Sequence, residues 1–152
     1  LKATQSNIDY TGMKVLIVDD NALNIKVARK ALNDFKFELD EAHDGEECLD
    51  KVKNGNKYDL ILMDIMMPNM SGETALQHLK EDSNFDTPVI ALTADAIAGS
   101  REKYMSAGFV DYLAKPFSRE QMKEKLDIIF KDSNDSDRFK DVPFHVFGKK
   151  NN

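Results

Sequence analysis

Five polar residues stand at the ends of apolar segments, and their types suit phosphoryl-transfer chemistry. Asp19 and Asp20 follow one apolar run, and Asp64 follows a second. Thr93 follows a third run, and Lys115 follows a weaker one. A carboxylate can attack phosphorus and form an acyl phosphate. A nearby hydroxyl and ammonium suit the phosphoryl oxygens, so these side chains together predict a small phosphoryl-transfer site.

The three carboxylates also predict a metal site. Carboxylates held close together repel one another, and a hard divalent cation relieves that repulsion. Magnesium takes oxygen ligands and keeps several waters, which fits two or three carboxylates and a backbone carbonyl. Zinc prefers histidine and cysteine ligands. The spacing of His43, His78, His145 and Cys48 is not that of metal ligands, so magnesium is favoured over zinc.

Each of these residues also has an ordinary structural interpretation. Asp20 or Asn21 could cap the first helix, and an aspartate at a strand end is most often a cap or turn residue. Thr93 alone would indicate nothing, and Lys115-Pro116 is a common turn dipeptide. Taken singly, each residue is more often structural. Their joint placement at the ends of several predicted strands favours the functional interpretation.

The apolar runs predict the strands that would position this site. Three continuous runs have the pattern of strands buried on both faces, and two weaker segments complete the set. These strand predictions cover residues 15–18, 60–63 and 89–92, with 37–41 and 111–114 as the weaker pair.

Helical stripes alternate with the strands, giving five helices and five strands. One of these stripes contains Ile97, Tyr104 and Met105, and the last helix opens with the capping-box pattern Ser118-x-x-Gln121. Strict alternation predicts an α/β fold with a parallel sheet covered on both faces. Ligands of such sheets bind beyond the carboxyl ends of the strands, where the strand order reverses.

Composition limits the class of protein and the number of domains. The 152 residues fit one domain, and the formal net charge is −6. This acidic balance argues against direct binding of nucleic acid or of an anionic membrane surface. The single cysteine cannot form an internal disulfide, which favours a reducing, cytoplasmic setting. We expect a lead-in at residues 1–12, the domain at 13–131 and a flexible tail at 132–152.

Four separated motifs resemble those of the response regulator receiver domain of two-component signalling. The resemblance covers residues 13–131 and implies a flavodoxin-like, doubly wound sheet of strand order 2-1-3-4-5. The matching stretches are VLIVDDN at 15–21, DLILMDIMMP at 59–68, PVIALTA at 88–94 and DYLAKPF at 111–117.

The resemblance implies a role for each residue of the predicted site. Asp64 resembles the phosphoacceptor of the family. Asp19 and Asp20 resemble the acidic pair that binds Mg²⁺ together with Asp64, with Mn²⁺ as a substitute. The backbone carbonyl of Met66 would complete the protein ligands of the metal.

Further residues resemble the parts that carry the signal. Thr93 resembles the switch hydroxyl, and Lys115 resembles the lysine that pairs with the phosphoryl group. Tyr112 resembles the switch aromatic, which would change the surface of the fourth helix, fifth strand and fifth helix. The family also implies a cis peptide bond between Lys115 and Pro116.

The resemblance suggests a cellular context as well. The motifs look most like a receiver attached to a hybrid sensor histidine kinase, with a stand-alone phosphorelay receiver as the alternative. The phosphoryl donor would be a histidine kinase or a histidine phosphotransfer domain, and a phosphorylation-dependent dimer is a further expectation. We expect no direct contact with a membrane and no turnover by the isolated domain, although the parent protein could be a sensor kinase.

Two enzyme or binding classes remain as distant alternatives. A haloacid-dehalogenase-type phosphatase also uses an aspartate and magnesium, but its nucleophile follows the first strand in an Asp-x-Asp motif. Here the expected nucleophile Asp64 follows the third strand in sequence order. A nucleotide-binding module would carry a glycine-rich phosphate loop, and the sequence contains neither of the two common forms.

Overall fold

The computed structural model describes the backbone of residues 10–139 and the side chains of residues 10–130. The predicted residues 1–9 of the lead-in and 140–152 of the tail lie outside the described part. Five strands alternate with five helices, as the apolar runs predicted. The strands are β1 (Lys14–Val18), β2 (Glu38–Ala42), β3 (Leu60–Asp64), β4 (Val89–Thr93) and β5 (Asp111–Ala114). The helices are α1 (Ala22–Leu32), α2 (Gly45–Lys53), α3 (Gly72–Leu79), α4 (Ser100–Ala107) and α5 (Arg119–Phe139).

All neighbouring strands pair in parallel, and the sheet order is β2-β1-β3-β4-β5. This is the predicted doubly wound sheet, so the predicted fold is confirmed. The register places Val18 beside Met63 and Asp64 beside Leu92. The carboxyl ends of β1, β3 and β4 therefore lie side by side at one edge of the sheet.

Two apolar clusters cover the two faces of the sheet. One contains Ile17 and Leu62 from the strands and packs against α1 and α5 through residues such as Leu126. The other contains the alternate strand residues and packs against α2, α3 and α4. All five residues of β3 and of β4 are buried, because helices cover both faces of the central strands. The site thus lies at the ends of strands that are buried along their whole length.

Local hydrogen bonds define where the helices begin. The Asn21 side chain accepts hydrogen bonds from the backbone N–H groups of Leu23 and Asn24, which caps α1. Before α5, Ser118 and Gln121 exchange side chain to backbone hydrogen bonds, so the predicted capping box is confirmed.

The start of one helix differs from expectation. Ile97 lies in the loop before α4 and is 69% exposed, so its place on a helical stripe was wrong. Gly99 adopts a φ of 87°, which interrupts helical backbone, and α4 begins only at Ser100. At the other end of the domain, α5 continues to Phe139, and the domain boundary expected at residue 131 stays a prediction. Within residues 10–139, the helices are all too short or too polar to cross a membrane.

Candidate functional site

The carboxyl ends of β1 and β3 bring two buried aspartates together. Asp19 follows β1 directly and is 1% exposed, and Asp64 is the last residue of β3 and is 2% exposed. The sheet order reverses between these strands, because the chain goes outward from β1 to β2 and then crosses to β3. This is the position at which open α/β sheets bind their ligands.

Asp20 completes an acidic cluster with the two buried carboxylates. One carboxylate oxygen from each of Asp19, Asp20 and Asp64 lies within 4.8 Å of the other two. Asp20 is exposed, so the cluster opens to solvent on its side. Three hard oxygen donors at this spacing fit a hard divalent cation such as magnesium. The donor set is therefore of the kind predicted from the sequence.

A residue that the sequence analysis missed helps to orient the cluster. Oδ1 of Asp19 accepts hydrogen bonds from the backbone N–H of Asn21 at 2.9 Å and from the side chain of Asn24 at 3.4 Å. Asn24 lies in the first turn of α1, five positions after Asp19. The signal in the sequence was a polar residue five positions after Asp19. The turn between β1 and α1 directs such a side chain back toward the end of the strand.

Lys115 supplies positive charge to both buried aspartates. Its Nζ donates hydrogen bonds to Oδ1 of Asp64 at 3.0 Å and to Oδ2 of Asp19 at 3.3 Å. Its backbone N–H donates to the carbonyl of Thr93 at 2.8 Å, which ties the end of β5 to the end of β4. The peptide bond between Lys115 and Pro116 is cis.

Burial and neighbouring charges have opposing effects on the pKa values of Asp64 and Lys115. Burial raises the pKa of Asp64, and the charge of Asp19 adds to that rise. The ammonium of Lys115 and the backbone N–H of Met66 lower it in part. Burial lowers the pKa of Lys115, but its contacts with the two carboxylates outweigh this effect and the net pKa is raised. The lysine is therefore held in its charged form beside the aspartates.

Thr93 ends β4 close to this charged group. Its side chain is buried, and its hydroxyl donates to the carbonyl of Asp95 at 2.9 Å while accepting from the Asp95 N–H at 3.1 Å. The hydroxyl hydrogen thus points along the loop after β4.

Two tyrosines lie behind Thr93. Tyr112, the expected switch aromatic, is half-buried on β5, and the Nζ of Lys125 lies 5.6 Å from its ring centroid. Tyr104 on α4 contacts both, with its ring centroid 5.9 Å from that of Tyr112 and its hydroxyl donating to Thr93 at 3.3 Å. The helical spacing predicted an apolar face for Tyr104 and gave no sign of this polar contact.

The loop after β3 frames the remaining side of the cluster. Met66 is 77% exposed, and its backbone N–H donates to Oδ1 of Asp64 at 3.3 Å. Gly72 at the start of α3 comes so close that an added Cβ would lie 2.4 Å from the backbone oxygen of Asp64. Only glycine permits this approach, and the sequence analysis did not single it out.

Comparison with known proteins identifies the family to which this arrangement belongs. The family model described as the response regulator receiver domain matches residues 15–127. The chain belongs to the response regulator receiver family. It is a receiver domain of the two-component and phosphorelay type, and the haloacid-dehalogenase alternative is not favoured.

Curated relatives of the receiver include histidine kinases. The chain is 40% identical over 115 residues to the signal transduction histidine-protein kinase BarA of Escherichia coli, covering 75% of this chain and 12% of that protein. It is 34% identical over 121 residues to the osmosensing histidine protein kinase SLN1 of Saccharomyces cerevisiae, covering 76% and 10%. The chain thus spans about a tenth of the length of these relatives.

A solved receiver structure supports the likeness at the level of the fold. The receiver domain of the sensor histidine kinase PA1611 from Pseudomonas aeruginosa is 35% identical with a TM-score of 0.67, covering 77% of this chain and 96% of that one. That receiver was solved with a magnesium ion coordinated in its active-site cleft.

Proposed function

We propose that Asp64 accepts a phosphoryl group and that the domain relays this event through Thr93 and Tyr112. The observation that carries the proposal is the placement of Asp64, with Lys115 Nζ at 3.0 Å and two further aspartates close by. A nucleophilic carboxylate needs positive charge nearby to accept a phosphoryl group that is itself negative. Lys115 supplies one positive charge, and the acidic cluster is suited to recruit another.

A divalent cation would occupy the acidic cluster. The ligands would be carboxylate oxygens of Asp19, Asp20 and Asp64 and the backbone carbonyl of Met66. When bound, Mg²⁺ neutralises charge on the phosphoryl oxygens, and Mn²⁺ would serve in its place. The loop position of Met66 and the open side of the cluster at Asp20 support this assignment.

The transfer step is a displacement at phosphorus. A carboxylate oxygen of Asp64 forms the new O–P bond while the N–P bond of a phosphohistidine breaks. The electron pair of that bond stays on the departing imidazole nitrogen, which takes a proton from solvent. The ammonium group of Lys115 then pairs with a phosphoryl oxygen instead of the Asp64 carboxylate. The Thr93 hydroxyl donates a hydrogen bond to another phosphoryl oxygen.

The signal then spreads from Thr93. When the Thr93 hydroxyl turns toward the phosphoryl group, space opens behind it for Tyr112 to turn inward. Tyr112 lies on β5, so its movement changes the surface formed by α4, β5 and α5. The half-buried position of Tyr112 and its contact with α5 through Lys125 support this route.

We also propose a class for the whole protein, a phosphoryl donor and a cellular location. The curated relatives point to a hybrid sensor histidine kinase, with a stand-alone phosphorelay receiver as the alternative. The donor would be a histidine kinase or a histidine phosphotransfer domain, and the activated surface would support a dimer. A cytoplasmic, reducing location is consistent with the free and buried thiol of Cys48.

An intact-mass experiment tests the phosphoacceptor. The chain is incubated with Mg²⁺ and acetyl phosphate, and we expect an adduct of one phosphoryl group that disappears in Asp64→Ala. Asp86→Ala is the matched control, because Asp86 is exposed and lies before β4, at the opposite edge of the sheet. Loss of the adduct in the control, or its persistence in Asp64→Ala, would reject Asp64. Turnover of a phosphomonoester that is independent of Asp64 would instead favour the phosphatase.

A further inference from the structure

Tyr104 makes a buried polar contact with the side chain that is proposed to switch. It lies on α4 and is 4% exposed, and its hydroxyl donates to Oγ1 of Thr93 at 3.3 Å. Tyr104 belongs to the apolar cluster on this face of the sheet, and its hydroxyl lies beside Thr93. A buried hydroxyl needs a partner, and Thr93 supplies it.

The hydrogen-bonding capacity of the Thr93 hydroxyl is fully used in this conformation. A threonine hydroxyl has one hydrogen to donate and two lone pairs that accept. The hydrogen goes to the carbonyl of Asp95, and the lone pairs accept from the Asp95 N–H and from Tyr104. The hydroxyl hydrogen of Thr93 therefore points toward Asp95 and not toward Asp64.

Turning the Thr93 hydroxyl toward a phosphoryl group on Asp64 breaks this set of bonds. The bond to the Asp95 carbonyl is exchanged for the new bond to the phosphoryl oxygen. The Tyr104 hydroxyl, however, loses the acceptor that Thr93 gives it. An unpartnered buried donor is unfavourable, so Tyr104 stabilises the resting direction of Thr93.

Two aromatic rings pack against the Tyr104 ring. It packs edge-on against Phe109, with the ring centroids 6.1 Å apart, and tilted against Tyr112 at 5.9 Å. A cavity of about 380 Å³ lies on the other side, lined by Thr93, Tyr104 and residues of the loop between them. One side chain thus contacts both Thr93 and Tyr112.

We propose that Tyr104 is a positioning residue that holds the Thr93 hydroxyl in its resting direction and so sets how readily this receiver enters its phosphorylated conformation. The inference rests on the proposed function and deepens it. Tyr104 acts through Thr93 and does not itself touch the phosphoryl group.

The test measures affinity for beryllofluoride, a mimic of the phosphoryl group, in the presence of Mg²⁺. Binding to the whole chain is followed by calorimetry or by fluorine NMR. Tyr104→Phe removes the hydroxyl and keeps the ring, so we expect about fivefold tighter binding, the equivalent of one buried hydrogen bond. Tyr58→Phe is the matched control, because Tyr58 is also buried and its hydroxyl donates to Asp40 on β2. Tyr58 precedes β3, at the opposite end of this strand from Asp64. Its affinity for beryllofluoride should equal that of the wild type.

A double-mutant cycle with Thr93→Ala separates positioning from a general loosening of the fold. Without the Thr93 hydroxyl, Tyr104→Phe should no longer tighten binding. Equal or weaker binding by Tyr104→Phe in the wild-type background would overturn the inference, as would the same gain with and without the Thr93 hydroxyl. If the wild type itself binds no beryllofluoride in a way that depends on Asp64, the proposed function fails instead.

Discussion

Lys115 holds its ammonium 3.0 Å from the Asp64 carboxylate, although the two residues are 51 positions apart in sequence. The contact joins the end of β5 to the end of β3 across β4. It places a partly buried positive charge beside two buried carboxylates, which would otherwise repel one another. The stability and the proposed chemistry of the site both depend on this one ammonium group.

Lys115→Met should destabilise the fold. The substitution leaves Asp19 and Asp64 buried without their counter-charge, and removal of one partner from a buried pair costs about 3 kcal/mol or more. Mg²⁺ should recover part of the loss, because it supplies positive charge to the same carboxylates. Urea unfolding with and without Mg²⁺ measures both effects. In Lys123→Met, which loses a more exposed ion pair with Asp127, we expect a change below about 0.5 kcal/mol.

Asp20→Ala should separate metal affinity from stability. Asp20 is exposed, so its removal should change the free energy of unfolding by less than about 0.5 kcal/mol. Loss of one of three carboxylate ligands should weaken Mg²⁺ binding by about tenfold or more, as measured by calorimetry. Asp19→Ala should weaken it as well, and Asp86→Ala should not. Unchanged Mg²⁺ affinity in both site variants would reject the proposed ligands.

Gly72→Ala should disturb the site through the backbone. The new Cβ would lie 2.4 Å from the Asp64 carbonyl oxygen, so the start of α3 or the end of β3 must shift. We expect a loss of about 2 kcal/mol in the free energy of unfolding and slower adduct formation on Asp64. Gly45→Ala is the matched comparison, because the atoms nearest to its Cβ would be those of the Met70 side chain rather than backbone. That variant should lose less than about 1 kcal/mol, and equal losses would contradict the argument.

Asp40 should make part of the stability dependent on pH. Burial favours the protonated carboxyl, but hydrogen bonds from Tyr58 and Lys51 outweigh it and lower the pKa of Asp40 from 3.8 to about 2. Since the folded pKa is the lower one, the stabilisation is complete above about pH 4 and is lost as the pH falls toward 2. Solvent screening keeps it below about 2 kcal/mol.

Unfolding of Asp40→Asn by urea at several pH values measures this contribution. The difference in unfolding free energy from the wild type should be largest near pH 6 and should shrink as the pH falls to 3. Asp86→Asn, which changes an exposed carboxyl, should show a small difference at every pH. A difference for Asp40→Asn that is as large at pH 3 as at pH 6 would contradict the assignment.

Much of the fold could be predicted because its signals are local. The strands β3 and β4 are buried on both faces, and such strands leave continuous apolar runs in the sequence. The capping box at Ser118 and Gln121 is likewise contained within four residues. Ile97 was misplaced because its spacing from Tyr104 fits a helix, whereas the left-handed backbone of Gly99 delays the start of α4.

The sequence by itself determined which chemical groups this receiver carries at its strand ends, since Asp19, Asp64 and Thr93 each follow a recognisable strand. Only the tertiary structure decided which atoms meet. The bond of Tyr104 to Thr93 and the approach of Gly72 to Asp64 join separate elements. Such contacts depend on strand register, sheet twist and helix packing, and distances of a few tenths of an ångström are not encoded in residue spacing.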